Sequence, residues 1–199
     1  KLGKYNIGEG HPPFIIAEMS GNHNQSLERA LKIVEAAASA GAHAIKLQTY
    51  TADTMTIDCE NEDFTISNPD NLWAGRTLYD LYQEAHTPWD WHHEIFELVR
   101  ELGMIPLSTP FDETAVDFLE TLDIGIYKIS SLENTDHALI KKVAQTGKPI
   151  ILSTGMMSKE DIIETVEVAE SAGCDNLILL KCTSSYPAEA SDANLATML

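Results

Sequence analysis

The stretch Ile126-Tyr-Lys-Ile-Ser-Ser-Leu-Glu-Asn134 begins as a buried strand and then places a lysine, Lys128, where an aliphatic residue would pack. Five other runs share this form of an aliphatic start and a polar end, at residues 14–19, 44–49, 105–109, 149–154 and 177–183. Amphipathic helical patterns separate the runs, and glycines end several of them. The order of strand, polar loop, helix and strand predicts six parallel βα units.

Helix boundaries can be predicted at four places. Ser26 is expected to cap a helix that stops at Gly41, and residues 158–161 form a capping box. Thr87 is predicted as an N-cap, with Pro88 at the first helical position. Residues 52–75 show no helical period and predict a long loop, which is usually either functional or disordered.

Composition limits the classes of function. The 199 residues carry a net charge of −18, which argues against nucleic-acid and anionic-membrane partners. The three cysteines are widely spaced and predict neither disulfides nor a zinc site, so a cytoplasmic location is expected. No apolar run approaches about 18 residues. The length favours one domain with a substantial core.

Polar residues gather at the C-terminal ends of the strands, where parallel α/β folds bind ligands. The even strands carry Lys46, Lys128 and Lys181, and the odd strands carry polar side chains without a positive charge, Glu18, Thr109 and Ser153. Alternate strands fill one interior layer of an eight-stranded TIM barrel, so the three lysines are expected to converge. Such a cluster needs an anion to neutralise it. A single strand lysine would instead be explained by an edge position or by a stem that reaches solvent.

Hydroxyl groups next to these lysines fit the same anion. Ser130, Ser131 and Ser153 can donate hydrogen bonds to phosphate or carboxylate oxygens. The pattern therefore predicts a phosphorylated or carboxylated small molecule at a barrel mouth. Glu18 and Glu133 add acid–base capacity, although Glu133 also suits the N-terminus of a helix.

Six segments together resemble the sialic acid synthase family, in order and with fitting spacing. They are Phe14-Ile-Ile-Ala-Glu-Met-Ser-Gly-Asn-His23, Ile45-Lys-Leu-Gln-Thr49, Ser108-Thr-Pro-Phe111, Tyr127-Lys-Ile-Ser-Ser-Leu-Glu133, Ile151-Leu-Ser-Thr-Gly-Met156 and Lys181-Cys-Thr-Ser-Ser-Tyr-Pro187. Members of that family condense phosphoenolpyruvate with an amino-sugar aldose to give a nine-carbon sugar acid. Residues 72–82, 87–92 and 181–187 look most like the branch that makes pseudaminic acid.

The resemblance implies roles for individual residues. Those at phosphoenolpyruvate-binding positions are Lys46, Thr109, Lys128, Ser131, Ser153 and Ser184. Glu18 matches the active-site carboxylate, and Phe111, Glu133 and Tyr186 match the sugar side. By the same resemblance a divalent metal, Mn²⁺ or Mg²⁺, polarises the sugar aldehyde. The methylene carbon of phosphoenolpyruvate attacks it, water adds at C2 and phosphate leaves.

The resemblance also implies parts beyond Leu199. Six strands cannot close an eight-stranded barrel, so residues 1–199 are expected to be the N-terminal part of the catalytic domain. The family's two metal-binding histidines and its C-terminal antifreeze-like domain would follow, and a homodimer is expected. No histidine of this sequence matches those metal ligands.

Three alternatives stay open at this stage. The sugar acid could be N-acetylneuraminate, whose branch usually has Lys-Ile-Gly-Ser-Gly-Glu at residues 128–133. A Schiff-base aldolase could use Lys181 as its nucleophile, activated by neighbouring cationic lysines. The third alternative is a binding module without catalytic activity.

Overall fold

The computed structural model describes residues 1–69, 71, 73–185 and 188–198. The chain divides into two compact units. The first unit is Phe14–Pro106, and the second unit joins Lys1–Pro13 to Leu107–Leu199. Each unit has its own strands, helices and polar site.

Six strands lie within the described ranges, at the six runs that the sequence predicts. Their bounds are β1 Ile16–Glu18, β2 Ala44–Thr49, β3 Ile105–Pro110, β4 Ile126–Ile129, β5 Ile150–Ser153 and β6 Leu177–Leu180. In the first unit β1 pairs in parallel with β2, and Glu18 lies opposite Lys46. In the second unit β4 lies between β3 and β5, and β5 pairs with β6, all in parallel. Sequence neighbours are therefore sheet neighbours, as expected of consecutive βα units.

The described residues form seven α-helices. They are α1 Leu27–Ser39, α2 Ala52–Met55, α3 Leu78–Ala85, α4 Trp91–Glu101, α5 Glu113–Glu120, α6 His137–Ala144 and α7 Lys159–Ser171. Two of the predicted caps are confirmed: the Ser26 side chain accepts from the Arg29 N–H, and Ser158 and Asp161 form a reciprocal capping box. Across the described ranges no helix is both long and apolar enough to pass through a membrane.

Two predictions about residues 52–90 are wrong. The stretch predicted as a loop contains the one-turn helix α2, and α3 follows it without having been predicted. Helix α4 begins at Trp91 rather than at Pro88. The Thr87 hydroxyl does not cap that helix, because it is hydrogen-bonded to the buried ring of His23 at 3.1 Å. A tertiary contact has replaced the local cap.

The two faces of the strands can be told apart by contacts with the helices. In the second unit the Tyr127 hydroxyl donates to Glu120 and to the Val116 carbonyl, both on α5. Tyr127 therefore points toward the helices, and Lys128, the next residue of β4, points to the other side of the sheet. In the first unit Thr49 bonds to His92 on α4, so Gln48 points away from that helix. Lys128 and Gln48 therefore point away from α5 and α4, respectively.

Candidate active site

Lys128 is held at the end of β4 by hydrogen bonds to oxygen atoms. The residue is 7% exposed, and its Nζ donates to the Ile129 carbonyl at 2.7 Å and to Ser153 Oγ at 2.5 Å. The register pairs Ser108 with Tyr127, and its continuation places Thr109, which is 2% exposed, beside Lys128. Three predicted ligands of the anion thus lie on adjacent strands of the second unit, on one face of the sheet.

Two further predicted ligands meet at Gly155, just beyond β5. A Cβ added to Gly155 would lie 2.1 Å from Ser184 Oγ and 2.6 Å from Ser131 Oγ. The glycine is required because only a residue without a side chain lets both hydroxyls approach this closely. The Ser-Thr-Gly turn at the end of a predicted strand was the one sequence signal that Gly155 allows such a close approach.

Glu133 lies in the loop after β4, next to the same group. Its carboxylate accepts a hydrogen bond from Ser130 Oγ. Burial raises the pKa of Glu133 above its usual value, and the Ser130 hydrogen bond and the Lys128 charge offset this only in part. The alternative role as a helix N-terminal charge does not hold, because α6 begins at His137 and is capped by Asp136. A carboxyl group with a raised pKa keeps its proton to a higher pH than an exposed glutamate, which suits it to general acid–base catalysis.

Lys181 does not share the position of Lys128. Through Ile151, the register places Lys128 level with Ile178 of β6. Lys181 lies three residues further along, just beyond the last residue of β6, Leu180. Ser153 pairs with Leu180, so alternation turns the next residue, Lys181, away from the Ser153 side. The Lys181 Nζ donates to the Cys182 carbonyl at 3.3 Å and to Thr183 Oγ1 at 3.1 Å. The prediction that Lys128 and Lys181 fill one layer is wrong. Strand β6 ends before Lys181, and the alternation of side chains along β6 points Lys181 to the face opposite Lys128.

In the first unit, Glu18 and Lys46 form an ion pair across β1 and β2. Their charged atoms lie 3.5 Å apart, and the Lys46 side chain is 10% exposed whereas that of Glu18 is 67% exposed. A buried lysine beside an accessible carboxylate is suited to binding a charged ligand. The convergence of Lys46 with the lysines of the second unit stays a prediction, as does its role in binding phosphoenolpyruvate.

A cavity of about 840 Å³ opens at the C-terminal ends of β1 and β2. One part of its lining carries hydroxyl and amide groups, from Ser20, Asn22, Asn24, Gln25 and Gln48. Other lining residues are mainly apolar or aromatic, namely Tyr50, Trp73, Leu81, Tyr82 and Ala85. The acidic lining residue Glu84 is paired with Arg76 at 2.7 Å. The cavity is therefore amphipathic and nearly neutral, which suits an uncharged polyhydroxylated ligand.

Buried histidines and one glutamine hold the loop that follows β1. His23 is fully buried, bonds to Thr87 and accepts from the Gln25 N–H at 3.2 Å. The Gln25 side chain donates to the carbonyls of Glu84 and His86, at 2.7 and 2.6 Å. Burial lowers the pKa of His23, with a smaller contribution from His86. His23 therefore has a structural role: it fixes the loop that lines part of the cavity.

The structure does not test the predicted roles of Phe111 and Tyr186, and the described residues contain no metal site. Phe111 directly follows β3 and is partly exposed, and its sugar-side role stays a prediction. Tyr186 lies outside the described residues. Within the described ranges, no group of three or more histidine, cysteine, aspartate or glutamate side chains could hold a metal. The described residues therefore do not form the implied metal site by themselves.

Sequence reasoning assigned no site role to the residues that line the cavity, nor to Asn134 in the second unit. Gln48 lines the cavity, and its polarity at a strand end was the signal for it. Asn134 is buried beside the anion-site residues, and its place at the end of the quoted stretch gave no sign of that role.

Comparison with known proteins places these sites in context. The chain is 43% identical over 195 residues to a pseudaminic acid synthase of Campylobacter jejuni, covering 98% of this chain and 56% of that protein. It is 43% identical over 188 residues to a pseudaminic acid synthase of Helicobacter pylori, covering 94% of this chain and 55% of that protein. The chain thus spans about half the length of the curated relatives it matches.

Solved structures support the same relationship. The crystal structure of N-acetylneuraminic acid synthetase from Leptospira borgpetersenii in complex with citrate aligns with a TM-score of 0.85 and 30% identity, over 99% of this chain and 63% of that chain. The predicted fold class is confirmed: the chain supplies six βα units of a TIM-barrel-type fold. The NeuB family model matches residues 33–199. On this match and these identities, the chain belongs to the NeuB family.

Proposed function

We propose that the whole protein condenses phosphoenolpyruvate with an amino-sugar aldose, giving a nine-carbon sugar acid of the pseudaminic acid type and releasing phosphate. The observation that carries this proposal is the group of Lys128, Ser153 and the two hydroxyls at Gly155, which is cationic and rich in donors. The 43% identity to pseudaminic acid synthases over most of the chain favours that product.

The second unit supplies the anion-binding residues. The Lys128 ammonium neutralises phosphate or carboxylate charge, and the hydroxyls of Ser131, Ser153 and Ser184 donate to the same oxygens. As phosphoenolpyruvate binds, the Lys128–Ser153 bond exchanges for bonds to the ligand. Citrate, which is present in the Leptospira synthetase structure, is likewise a small polyanion.

The first unit supplies the sugar-binding cavity. Amide groups such as those of Asn22 and Gln48 can both donate and accept, which matches sugar hydroxyls and acetamido groups. The Trp73 wall covers the apolar face of the ring and its methyl substituents. The available volume lies within the usual range of about 300–1,000 Å³ for small-molecule sites.

Glu133 is the best candidate for moving a proton in the second unit. Because burial raises its pKa, a fraction of the carboxyl groups is protonated closer to neutral pH than in an exposed glutamate. Protonated Glu133 donates a hydrogen bond or a proton to an oxygen that gains negative charge, and ionised Glu133 takes the proton back.

Other parts of the proposal rest on the resemblance. A divalent metal, Mn²⁺ or Mg²⁺, would supply Lewis-acid chemistry and needs ligands from outside the residues described here. A homodimer is proposed on the same basis. A cytoplasmic location agrees with free Cys59, Cys174 and Cys182.

An assay of the whole protein tests the proposal. Phosphate release should require both phosphoenolpyruvate and an amino sugar, and a chelator should abolish it if the metal is needed. Lys128→Met should reduce phosphate release at least about 100-fold, because it removes the cation that binds the anionic substrate. Lys148→Met is the matched control, since Lys148 in the same unit pairs with Glu120 on the helix side. Full activity of Lys128→Met would refute the proposal.

N-acetylneuraminate is the second candidate product, supported by the Leptospira synthetase. Competition between amino sugars in the same assay decides between the two. The Schiff-base alternative loses its support, because Lys181 is bonded within its own turn and is turned away from Ser153.

A further inference from the structure

Asn134 is a buried amide next to the anion-binding residues, and no role has been assigned to it so far. It is 4% exposed, and its Nδ2 donates to the Ser153 carbonyl at 3.1 Å and to the Gly155 carbonyl at 2.9 Å. Its own backbone carbonyl accepts from Thr165 Oγ1 at 3.0 Å, on α7. Both protons of the amide are thus used, and both are used on the turn that ends β5.

That turn needs support from outside. Met156 has a φ of 64°, in the left-handed region that residues other than glycine rarely adopt. Such strained positions persist where the surrounding structure fixes them, and they cluster at functional sites. The turn is attached to β6 through the Thr154 N–H, which donates to the Leu180 carbonyl at 3.0 Å. Asn134 holds the opposite side of the turn through two carbonyls.

The two carbonyls belong to the residues that shape the anion site. Ser153 presents its hydroxyl to Lys128, and Gly155 faces the hydroxyls of Ser131 and Ser184. Rotation of either peptide would move Ser153 Oγ away from Lys128 or change the space at Gly155. The side chain of Asn134 sets the orientation of both peptides at once.

We propose that Asn134 is a positioning residue for the anion site, holding Ser153 and Gly155 so that the three serine hydroxyls and Lys128 face one ligand. Only the identity of that ligand as phosphoenolpyruvate rests on the proposed function. A merely structural role for Asn134 would lower stability without a selective effect on the anion.

Asn134→Leu is the first test, because leucine keeps the shape of the side chain and removes both donors. We expect the KM for phosphoenolpyruvate to rise about 30-fold, the effect of losing roughly one hydrogen bond to a charged group, and the KM for the sugar to change less than about twofold. Ser158→Ala, which removes the N-cap of α7 in the same unit, controls for lost stability and should leave both KM values unchanged. An unchanged KM for phosphoenolpyruvate, or an equal rise in both values, would overturn the proposal.

Asn134→Asp gives a second readout if the leucine variant does not fold. The ionised aspartate faces two carbonyls and cannot donate, whereas the protonated form donates once. Binding of phosphoenolpyruvate, measured by calorimetry, should therefore be weak above neutral pH and recover as the pH falls, relative to the wild type. A pH dependence identical to that of the wild type would contradict a positioning role.

The binding measurement also separates this proposal from the proposed function. If the wild type binds phosphoenolpyruvate but releases no phosphate with any amino sugar, only the proposed function fails. If it binds neither phosphoenolpyruvate nor inorganic phosphate, the anion site itself is refuted, and the role of Asn134 with it.

Discussion

The polar sites of the two units differ in how they are built. In the second unit, short side chains crowd around Gly155, and Lys128 is held by a neighbouring hydroxyl. In the first unit a cavity of about 840 Å³ is lined by both polar and apolar side chains. One site is cationic and tightly packed, and the other is nearly neutral and open.

The difference matches the chemistry of the two proposed ligands. A doubly charged anion gains most from donors fixed in advance, because water competes with any donor that must first be oriented. A sugar is neutral and has apolar and polar faces, so it is recognised by an amphipathic wall and by amides. Changes that disturb one site and leave the other intact therefore test whether the division is real.

The largest effect is expected for Gly155→Ala. The added methyl group must displace the hydroxyls of Ser131 and Ser184, which lie within 2.6 Å of its position. Loss of two hydrogen bonds to a charged ligand costs about 4 kcal/mol, so kcat/KM for phosphoenolpyruvate should fall on the order of 1,000-fold. Steady-state kinetics with each substrate varied in turn measures this loss.

Two other glycines serve as controls for that variant. Gly41→Ala meets no atom within 4 Å but strains a backbone with a φ of 84°, so it should lower stability and leave both KM values unchanged. Gly21→Ala in the first unit would place its Cβ 3.0 Å from the Ala85 carbonyl at the cavity, and it should raise the KM for the sugar instead. If Gly155→Ala kept wild-type kinetics, the serine cluster could not be the anion site.

Acid should destabilise the first unit through His92. His92 is fully buried in the first unit, and burial lowers its pKa to about 4 from 6.5. The unfolded chain therefore binds a proton that the folded unit does not, so this stability is complete above pH 6.5 and is lost as the pH falls toward 4. The loss should reach about 3 kcal/mol. In the second unit the raised pKa of Glu133 has the reverse sign, because the folded state holds that proton more tightly.

Hydrogen exchange between pH 7 and pH 4.5, corrected for the intrinsic exchange rate, should show selective loss of protection in α4 and β2. His92→Gln should remove most of the pH dependence. His93→Gln is its control, since the His93 side chain is 69% exposed and lies near Glu97. Equal loss of protection in both units, or an unchanged pH dependence in His92→Gln, would show that buried His92 does not control acid stability.

The sequence predicted the repeated βα units and the features that depend on residues close together in the chain. Six strands and the caps at Ser26 and Ser158 were found because aliphatic runs and capping boxes depend on residues close in the chain. Polar residues at strand ends indicated Lys128, Ser131 and Ser153, and the resemblance added Ser184. The structure places Lys128 next to Ser153, and Ser131 and Ser184 next to Gly155, and their role in binding an anion stays a prediction.

Features that depend on distant partners could not be predicted. Thr87 looked like a helix cap, but its hydroxyl bonds to His23, 64 residues away in the sequence. From the sequence, Lys181 looked equivalent to Lys128. The structure ends β6 at Leu180, which pairs with Ser153, so Lys181 lies beyond the strand and points to the other side. Asn134 forms its bonds 19 and 21 residues away, and no local pattern indicates them.

The smallest effect is expected at the apolar wall of the cavity. Trp73 is 45% exposed, so Trp73→Ala should leave the stability of the fold almost unchanged. The indole would cover methyl groups of the sugar, and its loss should cost about 1.4 kcal/mol, or about tenfold in kcat/KM for a 6-deoxy amino sugar. The 6-hydroxy counterpart should be less affected, because its hydroxymethyl group gains less from an apolar wall. Competition between the two sugars measures the ratio directly.

Trp73→Phe should restore most of the preference, since it keeps an aromatic surface in contact with the cavity. Kinetics for phosphoenolpyruvate should stay at the wild-type level in both variants, because the serine cluster belongs to the other unit. A Trp73→Ala variant that weakened phosphoenolpyruvate binding and left the sugar ratio unchanged would reverse the assignment of the two sites. The division between a cationic site for the anion and a neutral cavity for the sugar would then have to be abandoned.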